Sequence, residues 1–149
     1  MSALVFGIFS FTKGNHLQLQ GKILKVRTGA LTGTDSVAVL DFRIENPSDI
    51  PFVVRIVKVT LEKANGEKAD GSLVSKSGMS QLFQFNRFLG SPYNEALSLR
   101  DKVPPHDKVD RMVAARFDLP QQELESGKAL HLWVQDVDGP EFETSHTLK

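Results

Sequence analysis

The segment VAVLDFRIENPSDIPFVVRIVKVTLE, residues 37–62, decides the fold because it contains two strands with a marked turn between them. In its first half, apolar residues alternate with other side chains, a period of two that is typical of a strand with one buried face. The apolar set is Ala38, Leu40, Phe42 and Ile44. Asn46-Pro47 and Ile50-Pro51 mark the loop, because proline removes a backbone donor and ends strand pairing. The segment therefore predicts an antiparallel sheet with one apolar face and one wet, largely charged face.

Further short strands are predicted on both sides of this segment. Residues 16–28 alternate but change parity at Gly21, which predicts a β-bulge at that glycine. Asn65-Gly66 favours a type I′ hairpin turn, which needs positive φ values. Other alternating segments are residues 96–102, 108–117, 129–137 and 141–148. Seven or eight strands at this spacing predict a mainly β protein, an immunoglobulin-like antiparallel β-sandwich.

One Phe-rich segment has helical rather than strand periodicity. Its residues Met79, Leu82, Phe83, Asn86 and Leu89 recur at a spacing of three or four, which predicts one helix over residues 79–89. We place its N-cap at Ser77 and its end at Gly90. We expect this inserted helix to cover an open end or an edge of the sheet. A short helical turn is predicted at residues 120–126.

Length and composition favour one domain with its own core. A chain of 149 residues, 40% apolar and with ten Phe, can bury a core without staples. Its 18 basic and 18 acidic residues cancel, so we expect no nucleic acid partner. It has no Cys, which excludes disulfides, thiolate catalysis and cysteine metal sites.

The N-terminus carries an apolar run, Ala3 to Phe11, that is followed by Lys13. A bilayer-spanning helix needs about 20 apolar residues, so this run is too short to cross by itself. We interpret residues 1–14 either as a first strand or as the remnant of a membrane anchor. Residues 15–149 are predicted to form the single β-sandwich domain.

No residue pattern indicates catalysis, a cofactor or a metal. The four histidines, at positions 16, 106, 131 and 146, lack partners at metal-ligand spacing on one element. Asp136, Asp138 and Glu141 surround a glycine, but the spacing of a calcium loop is missing. There is no phosphate-binding glycine loop and no nucleophile elbow. We therefore assign no catalytic, cofactor-binding or metal-binding residue, and we expect no enzyme.

Two groups of side chains remain as candidates for recognition. Asp41, Arg43 and Glu45 share one strand face, and Arg55 interrupts the apolar parity of the next strand; cross-strand ion pairs and a charged recognition face are the two interpretations. The aromatic group consists of Phe83, Phe85, Phe88 and Tyr93. These rings either pack in the core or form an apolar patch that docks a partner.

The motif of residues 39–47, an alternating strand that ends in Asn-Pro, and of Pro51 to Val54, which opens the next strand, resembles a known family. It is similar to the water-stress and hypersensitive-response domain of late embryogenesis abundant proteins and bacterial extracytoplasmic proteins. The same pattern resembles small bacterial immunoglobulin-like domains, which are often membrane-tethered. The resemblance covers residues 37–75 and implies a β-sandwich without catalytic residues.

Three functional hypotheses follow. The first is a non-enzymatic accessory or interaction domain with a protein partner, extracytoplasmic and membrane-anchored through its N-terminal segment, with a cytoplasmic location as the alternative. The second is a stress-protective protein of the late embryogenesis abundant type. The third is a small-ligand-binding domain with a pocket between helix 79–89 and the sheet. The sequence leaves the oligomeric state open.

Overall fold

The computed structural model describes residues 20–139 and 141–148. The strands in this part of the chain are β1 (Gln20–Ala30), β2 (Ser36–Asn46), β3 (Phe52–Glu62), β4 (Lys68–Asp70), β5 (Ser72–Leu73), β6 (Glu95–Ala96), β7 (Lys102–Val103), β8 (Asp107–Phe117), β9 (Ala129–Asp136) and β10 (Glu141–Thr147). The helices are α1 (Lys76–Phe85) and α2 (Gln121–Glu125), and a single 3₁₀ turn lies at Arg87–Leu89. The expectations for residues 1–14 fall outside the described residues.

The strands form two sheets. The first sheet has the order β1-β2-β8-β5, and β6 pairs with another part of β8. The second has the order β10-β9-β3-β4, and β7 pairs with another part of β3. Among the described strands, all pairs are antiparallel except β6 with β8, which is parallel. The predicted mainly β sandwich is thereby confirmed.

The core lies between the two sheets and consists of the strand faces that the alternation predicted. From β2 it takes Ala38, Leu40, Phe42 and Ile44, all without exposed surface. Phe117 of β8 joins them from the same sheet. The facing side chains come mainly from β3, β9 and β10, and include Val59, Leu61, Leu130, Leu132, Val134 and Phe142. Burial of these side chains is worth about 1.5–3 kcal/mol each before the entropy of ordering is subtracted.

The second face of β2 is solvated only at its Arg43 and Glu45 end, so the prediction of a wholly solvated face is wrong. Val37 and Val39 have no exposed surface, and Asp41 is only 2% exposed. Met79, Leu82 and Phe83 pack on this face together with Met112 and Ala114 of β8. From Val37 to Asp41 the strand is therefore buried on both sides, because α1 lies on the outer face of the first sheet. The sequence led us to expect a helix over an open end or an edge of the sheet, and α1 covers neither.

The Phe-rich segment is a helix followed by a separate 3₁₀ turn, and not one continuous helix over residues 79–89. Ser75, not Ser77, is the N-cap, and its Oγ accepts from the N–H of Gly78 at 3.1 Å. At the other end Asn86 Nδ2 donates to Leu82 O at 2.9 Å, which competes with the next helical turn. Gly90 has a φ of 79° and ends the 3₁₀ turn, close to where the sequence placed the end of the helix.

Two predicted irregularities occur with different geometry. The bulge in β1 lies between Ile23 and Lys25, not at Gly21. Gly21 instead allows the ring of Phe142 to approach, since a Cβ at this position would lie 2.4 Å from a ring carbon. In the hairpin at residues 64–67, only Gly66 has positive φ, so the turn is not of type I′.

A second bulge explains why Arg55 interrupts the apolar pattern of β3. The register against β9 shifts between Val54 and Ile56, and Arg55 lies at this shift with its side chain exposed. Val54 therefore faces the core before the bulge, whereas Val59 and Leu61 face it afterwards. The parity of β3 changes at Arg55 because one extra residue has been inserted.

Replacement of Phe83 tests the position of the helix. Phe83 is 9% exposed and belongs to the cluster under α1, whereas Phe85 is 75% exposed. We expect Phe83→Ala to lower the free energy of unfolding by about 3–5 kcal/mol, because it leaves a cavity. The matched variant Phe85→Ala should change it by less than about 0.5 kcal/mol. Denaturant unfolding of both variants checks this, and equal losses would contradict the described packing.

Candidate functional site

A buried ion pair lies between the first sheet and residues 76–94, which lie over its outer face and which we call the covering segment. Arg27 of β1 contacts Asp41 of β2, with 3.1 Å between Nη2 and Oδ2. The second carboxylate oxygen of Asp41 accepts from Asn94 Nδ2 at 2.9 Å. Both charged side chains are almost completely buried. A buried pair needs further hydrogen bonds to its remaining polar atoms. Asn94 supplies one to Asp41, whereas Arg27 Nε has no hydrogen-bond partner among the described residues.

Arg27 also holds the segment that follows α1. Its Nη1 donates to the carbonyl oxygens of Leu89 and Ser91 at 2.9 and 2.7 Å. The guanidinium carbon lies 4.2 Å from the centroid of the Tyr93 ring and 5.1 Å from that of Phe83. One side chain thus anchors the 3₁₀ turn, the following loop and two aromatic rings. The sequence analysis missed Arg27, although a basic residue one strand away from the polar position of Asp41 was an available signal.

The four aromatic residues predicted from the sequence separate into one buried ring and three exposed ones. Phe83 lies under the helix, whereas Phe85, Phe88 and Tyr93 are 75%, 59% and 57% exposed. We call these three exposed residues the aromatic patch. Both interpretations of the sequence therefore apply, each to different members of the group. Helix α1 turns Phe83 towards the sheet and Phe85 away from it, and Phe88 and Tyr93 lie beyond the helix.

Two members of the aromatic patch lie side by side on β1. A Cβ at Gly29 would lie 1.8 Å from Phe88 Cε1, so Phe88 rests directly on the glycine backbone. Tyr93 lies over Arg27, two residues earlier on the same strand. Alternate residues of a strand point to one face and are about 6.6–6.8 Å apart. The two rings are therefore neighbours on one surface, and Phe85 lies three residues before Phe88.

Basic side chains flank the aromatic patch. Lys25 Nζ lies 5.7 Å from the centroid of the Tyr93 ring, and Arg87 lies between the two phenylalanines in sequence. Neither Lys25 nor Arg87 forms an ion pair with any other residue of the described ranges 20–139 and 141–148. Lys25 thus places a positive charge beside the Tyr93 ring, and Arg87 is adjacent to Phe88 in the sequence.

A concave surface, which we call the side groove, opens on the flank of the sandwich and has a volume of about 510 Å³. Apolar side chains form most of its lining, including Ile56, Val57, Leu73, Met79, Met112 and Val113. The sequence led us to expect a pocket between helix 79–89 and the sheet. The side groove touches that helix only at its start, through Lys76 and Met79, and lies mainly between the two sheets.

The side groove exists because both sheets are incomplete at this flank. Strand β4 pairs with β3 only at Thr60–Glu62, and β7 pairs with it only at Phe52–Val53. The middle of the β3 edge therefore has no neighbouring strand in the described part of the chain. On the facing sheet, β5 and β6 end on either side of Val113. Two interrupted edges at the same level leave the core accessible from the side.

The predicted charged face of β2 is resolved into local ion pairs. Arg43 contacts Asp110 of β8, with 2.8 Å between Nε and Oδ1. The hydrogen bond from Arg43, opposed by partial burial, holds the pKa of the Asp110 carboxyl below its ordinary value. Asp41 is buried under the covering segment, and Arg55 reaches the side groove. Glu45 is exposed and lines a cleft together with Arg43, so of the four predicted residues only these two share a surface.

The described histidines and Asp136, which the sequence offered as possible metal ligands, contact neighbouring side chains or backbone groups. His106 contacts Asp49, and His131 lies 3.3 Å from Glu62 and 3.2 Å from Glu143. His16 lies outside the described residues. Asp136 is buried and accepts from the N–H groups of Val53 and Asp138, which orders a turn. Across the described ranges, no three His, Asp or Glu side chains are arranged to hold a metal ion.

Comparisons with known proteins give no family for the chain. No family model and no curated protein match it. The yjhA protein from Bacillus subtilis is similar in structure, with a TM-score of 0.46, 11% identity and coverage of 86% of this chain and 79% of that chain. An uncharacterized β-sandwich protein from Clostridium difficile 630 is also similar, with a TM-score of 0.41 and 10% identity. The match covers 89% of this chain and 86% of that chain. The fold assignment therefore rests on the strand order of this chain itself.

The more specific expectations from the sequence stay predictions. The resemblance to the water-stress and hypersensitive-response domain is not confirmed by these comparisons, and neither is the stress-protective role that it implies. No helix in residues 20–139 or 141–148 is long and apolar enough to cross a bilayer. The interpretation of residues 1–14 as an anchor or strand concerns residues that the structure does not describe.

Disruption of the Arg27–Asp41 pair tests its importance for the covering segment. We expect Asp41→Ala to lower the free energy of unfolding by about 3–5 kcal/mol, because it leaves the buried Arg27 charge without a partner. The double variant Arg27→Met/Asp41→Leu removes both charges but also the hydrogen bonds to Leu89, Ser91 and Asn94, so it should recover only part of this loss. Asp110→Ala, which breaks a partly exposed pair, should cost less than about 1 kcal/mol. Denaturant unfolding checks this. Equal losses in the free energy of unfolding for Asp41→Ala and Asp110→Ala would contradict the described burial.

His146 of β10 gives the protein an acid-sensitive element. Burial lowers the pKa of its imidazole below the ordinary 6.5. When the pH falls below about 6.5, the unfolded chain binds a proton that the native state does not, so the free energy of unfolding decreases. The effect ends below the folded pKa and adds at most about 1.4 kcal/mol per pH unit to the slope. His146→Gln should flatten the dependence of stability on pH between 7 and 5; unchanged slopes would refute this.

Proposed function

We propose that the protein is a non-enzymatic interaction domain that binds a protein partner through the aromatic patch. The observation that carries this proposal is the exposure of Phe85, Phe88 and Tyr93 on a single covering segment. Large aromatic side chains are enriched among the residues that dominate binding energy at protein interfaces. Three of them with most of their surface in water therefore favour a surface that is covered in a complex.

The strand order supports the finer assignment to an immunoglobulin-like domain. The first sheet follows the order A-B-E-D, and the second follows G-F-C with an added C′ strand. In this correspondence β1 and β2 are A and B, β8 is E, and β5 is D. Domains of this architecture serve many functions, so the function has to be argued from the surface and not from the fold.

The aromatic patch is pre-organised by the pair beneath it. Arg27 holds Tyr93 through its guanidinium face and fixes the carbonyls of Leu89 and Ser91. Side chains that are already ordered lose less conformational entropy when a partner binds. Lys25 and Arg87 make the margin positive, and these charges complement acidic groups. We therefore propose a partner segment that offers apolar side chains at its centre and carboxylates around them.

The proposal places the domain outside the cytoplasm, held by its N-terminal segment. This part rests on the apolar run Ala3 to Phe11 of the sequence. Fractionation of cells that express the whole chain tests it. We expect the chain in the membrane fraction and its release when residues 1–14 are deleted. Recovery of the whole chain with soluble cytoplasmic proteins would overturn this part only.

Site-specific photo-crosslinking tests the aromatic patch. A photoreactive phenylalanine at position 85 or 88 of the whole chain, expressed in its native host, should give the same adduct from both positions. Position 50 is the matched control, because Ile50 is an exposed apolar residue in the loop beyond the far end of β2. We expect no such adduct from position 50, since this loop lies away from the patch.

The partner identified in this way is then purified and its binding is measured directly. Phe85→Ser should weaken binding by about 10-fold or more, and Lys25→Glu should weaken it most at low salt. Ile50→Ser should leave the affinity unchanged. Equal adducts from all three positions, an affinity that Phe85→Ser does not alter, or an adduct between two copies of this chain would overturn the proposal.

A further inference from the structure

We propose that the side groove is a separate binding site for an anionic single-chain amphiphile of the fatty-acid class. The alkyl chain would occupy the apolar groove, and the carboxylate would lie at its cationic mouth. This site is independent of the aromatic patch, which lies on the outer face of the first sheet. Its volume of about 510 Å³ lies within the range of about 300–1,000 Å³ that is usual for small-molecule sites.

The charges at the mouth determine the sign of the ligand. The lining of the side groove includes Arg55 and Lys76 and no acidic residue. A second cleft of about 560 Å³ adjoins it, shares Arg55 and Leu99 with it, and is also lined by Arg100 and Lys102 without any acid. An apolar channel therefore leads into a cationic recess, and Arg55 belongs to both. This distribution complements a molecule with a linear apolar tail and one negative head group.

Two of the acidic residues that neighbour lining residues in the sequence, Asp101 and Asp136, are engaged elsewhere. Asp101 accepts from the N–H of Ser98 at 2.9 Å and lies 4.0 Å from Arg111. Asp136 accepts from two backbone N–H groups at 2.7 and 2.8 Å. Neither Arg55, Lys76 nor Lys102 forms an ion pair with another described residue. The positive charge of the mouth is consequently not neutralised within the described part of the chain.

The backbone supports the same mouth with two further features. Arg100 has a φ of 73°, and its N–H donates to Val54 O at 2.7 Å, so the loop is held against β3 beside the bulge at Arg55. A non-glycine residue in this conformation costs energy, which the surrounding contacts offset. The N-terminus of α1 also faces the groove through Ser75 and Lys76, and its first turn contains no acid. The helix dipole adds positive potential there.

Methionine methyl NMR of the whole chain gives a direct readout. The protein has three methionines, and two of them, Met79 and Met112, line the side groove. We expect sodium decanoate, added below its micellar concentration, to shift the ¹³C-methyl signals of Met79 and Met112 with saturation. Met79→Leu and Met112→Leu assign the signals.

Head-group and charge variants test the specificity. Decanol, which has the same chain without the charge, and decyltrimethylammonium should each bind about 10-fold or more weakly than decanoate. Arg55→Gln/Lys102→Gln should weaken decanoate binding by about 10-fold or more, since it removes two cations from the mouth. The control Lys108→Gln/Lys128→Gln removes the same charge at exposed positions that do not line either cavity, and should not change the affinity.

Several results would overturn the proposal. Methyl signals that do not move up to the micellar concentration would show that the groove does not take an alkyl chain. Equal binding of decanol or of the ammonium analogue would show that the charge is not recognised. Signals that shift with protein concentration alone would show that a second copy occupies the groove. None of these outcomes affects the aromatic patch, whose variants are read by partner binding.

Discussion

The contact between Arg27 and Asp41 is the interaction on which the outer layer of this protein depends. The two charges face each other at 3.1 Å with almost no exposure, and each also binds the segment that follows α1. A buried pair contributes little net stability compared with apolar side chains, but it penalises every arrangement that leaves one charge unmatched. The pair therefore specifies where the covering segment lies, while the apolar contacts of Met79, Leu82 and Phe83 supply the burial.

The same layer explains why some aromatic residues are buried and others are exposed. Helix α1 offers only one side to the sheet, and its length is limited by Asn86. Phe83 falls on the inner side and Phe85 on the outer side, whereas the close approach of Phe88 requires the missing side chain at Gly29. On the opposite flank of the sheet, the short strands β4 to β7 leave the edges of β3 and β8 incomplete. Both candidate surfaces thus follow from incomplete coverage of the sandwich.

Much of the architecture could be predicted because its signals are local. The alternation in β2 identified the core face correctly, from Ala38 to Ile44. Asn46 bridges the predicted loop, with Nδ2 donating to Ile50 O at 2.8 Å, as its side chain suggested. The predicted wet face of β2 was wrong because the helix that covers it comes from residues 76–85, and strand periodicity carries no information on distant layers. The bulge at Arg55 was visible only as an exception in the pattern, without its geometric cause.

Local patterns in the sequence were enough to predict the class of fold, the position of most strands and an aromatic-rich helical insertion. Backbone periodicity and turn chemistry act over a few residues, so these features can be read without the tertiary structure. The contact between Arg27 and Asp41 and the position of Arg55 at the side groove are visible only in the tertiary structure. The same holds for the exposure of Phe85, Phe88 and Tyr93. These features join residues that are separated by 14 to more than 60 positions in the chain. Their proximity is set by strand order and by the packing of layers, which no local pattern encodes.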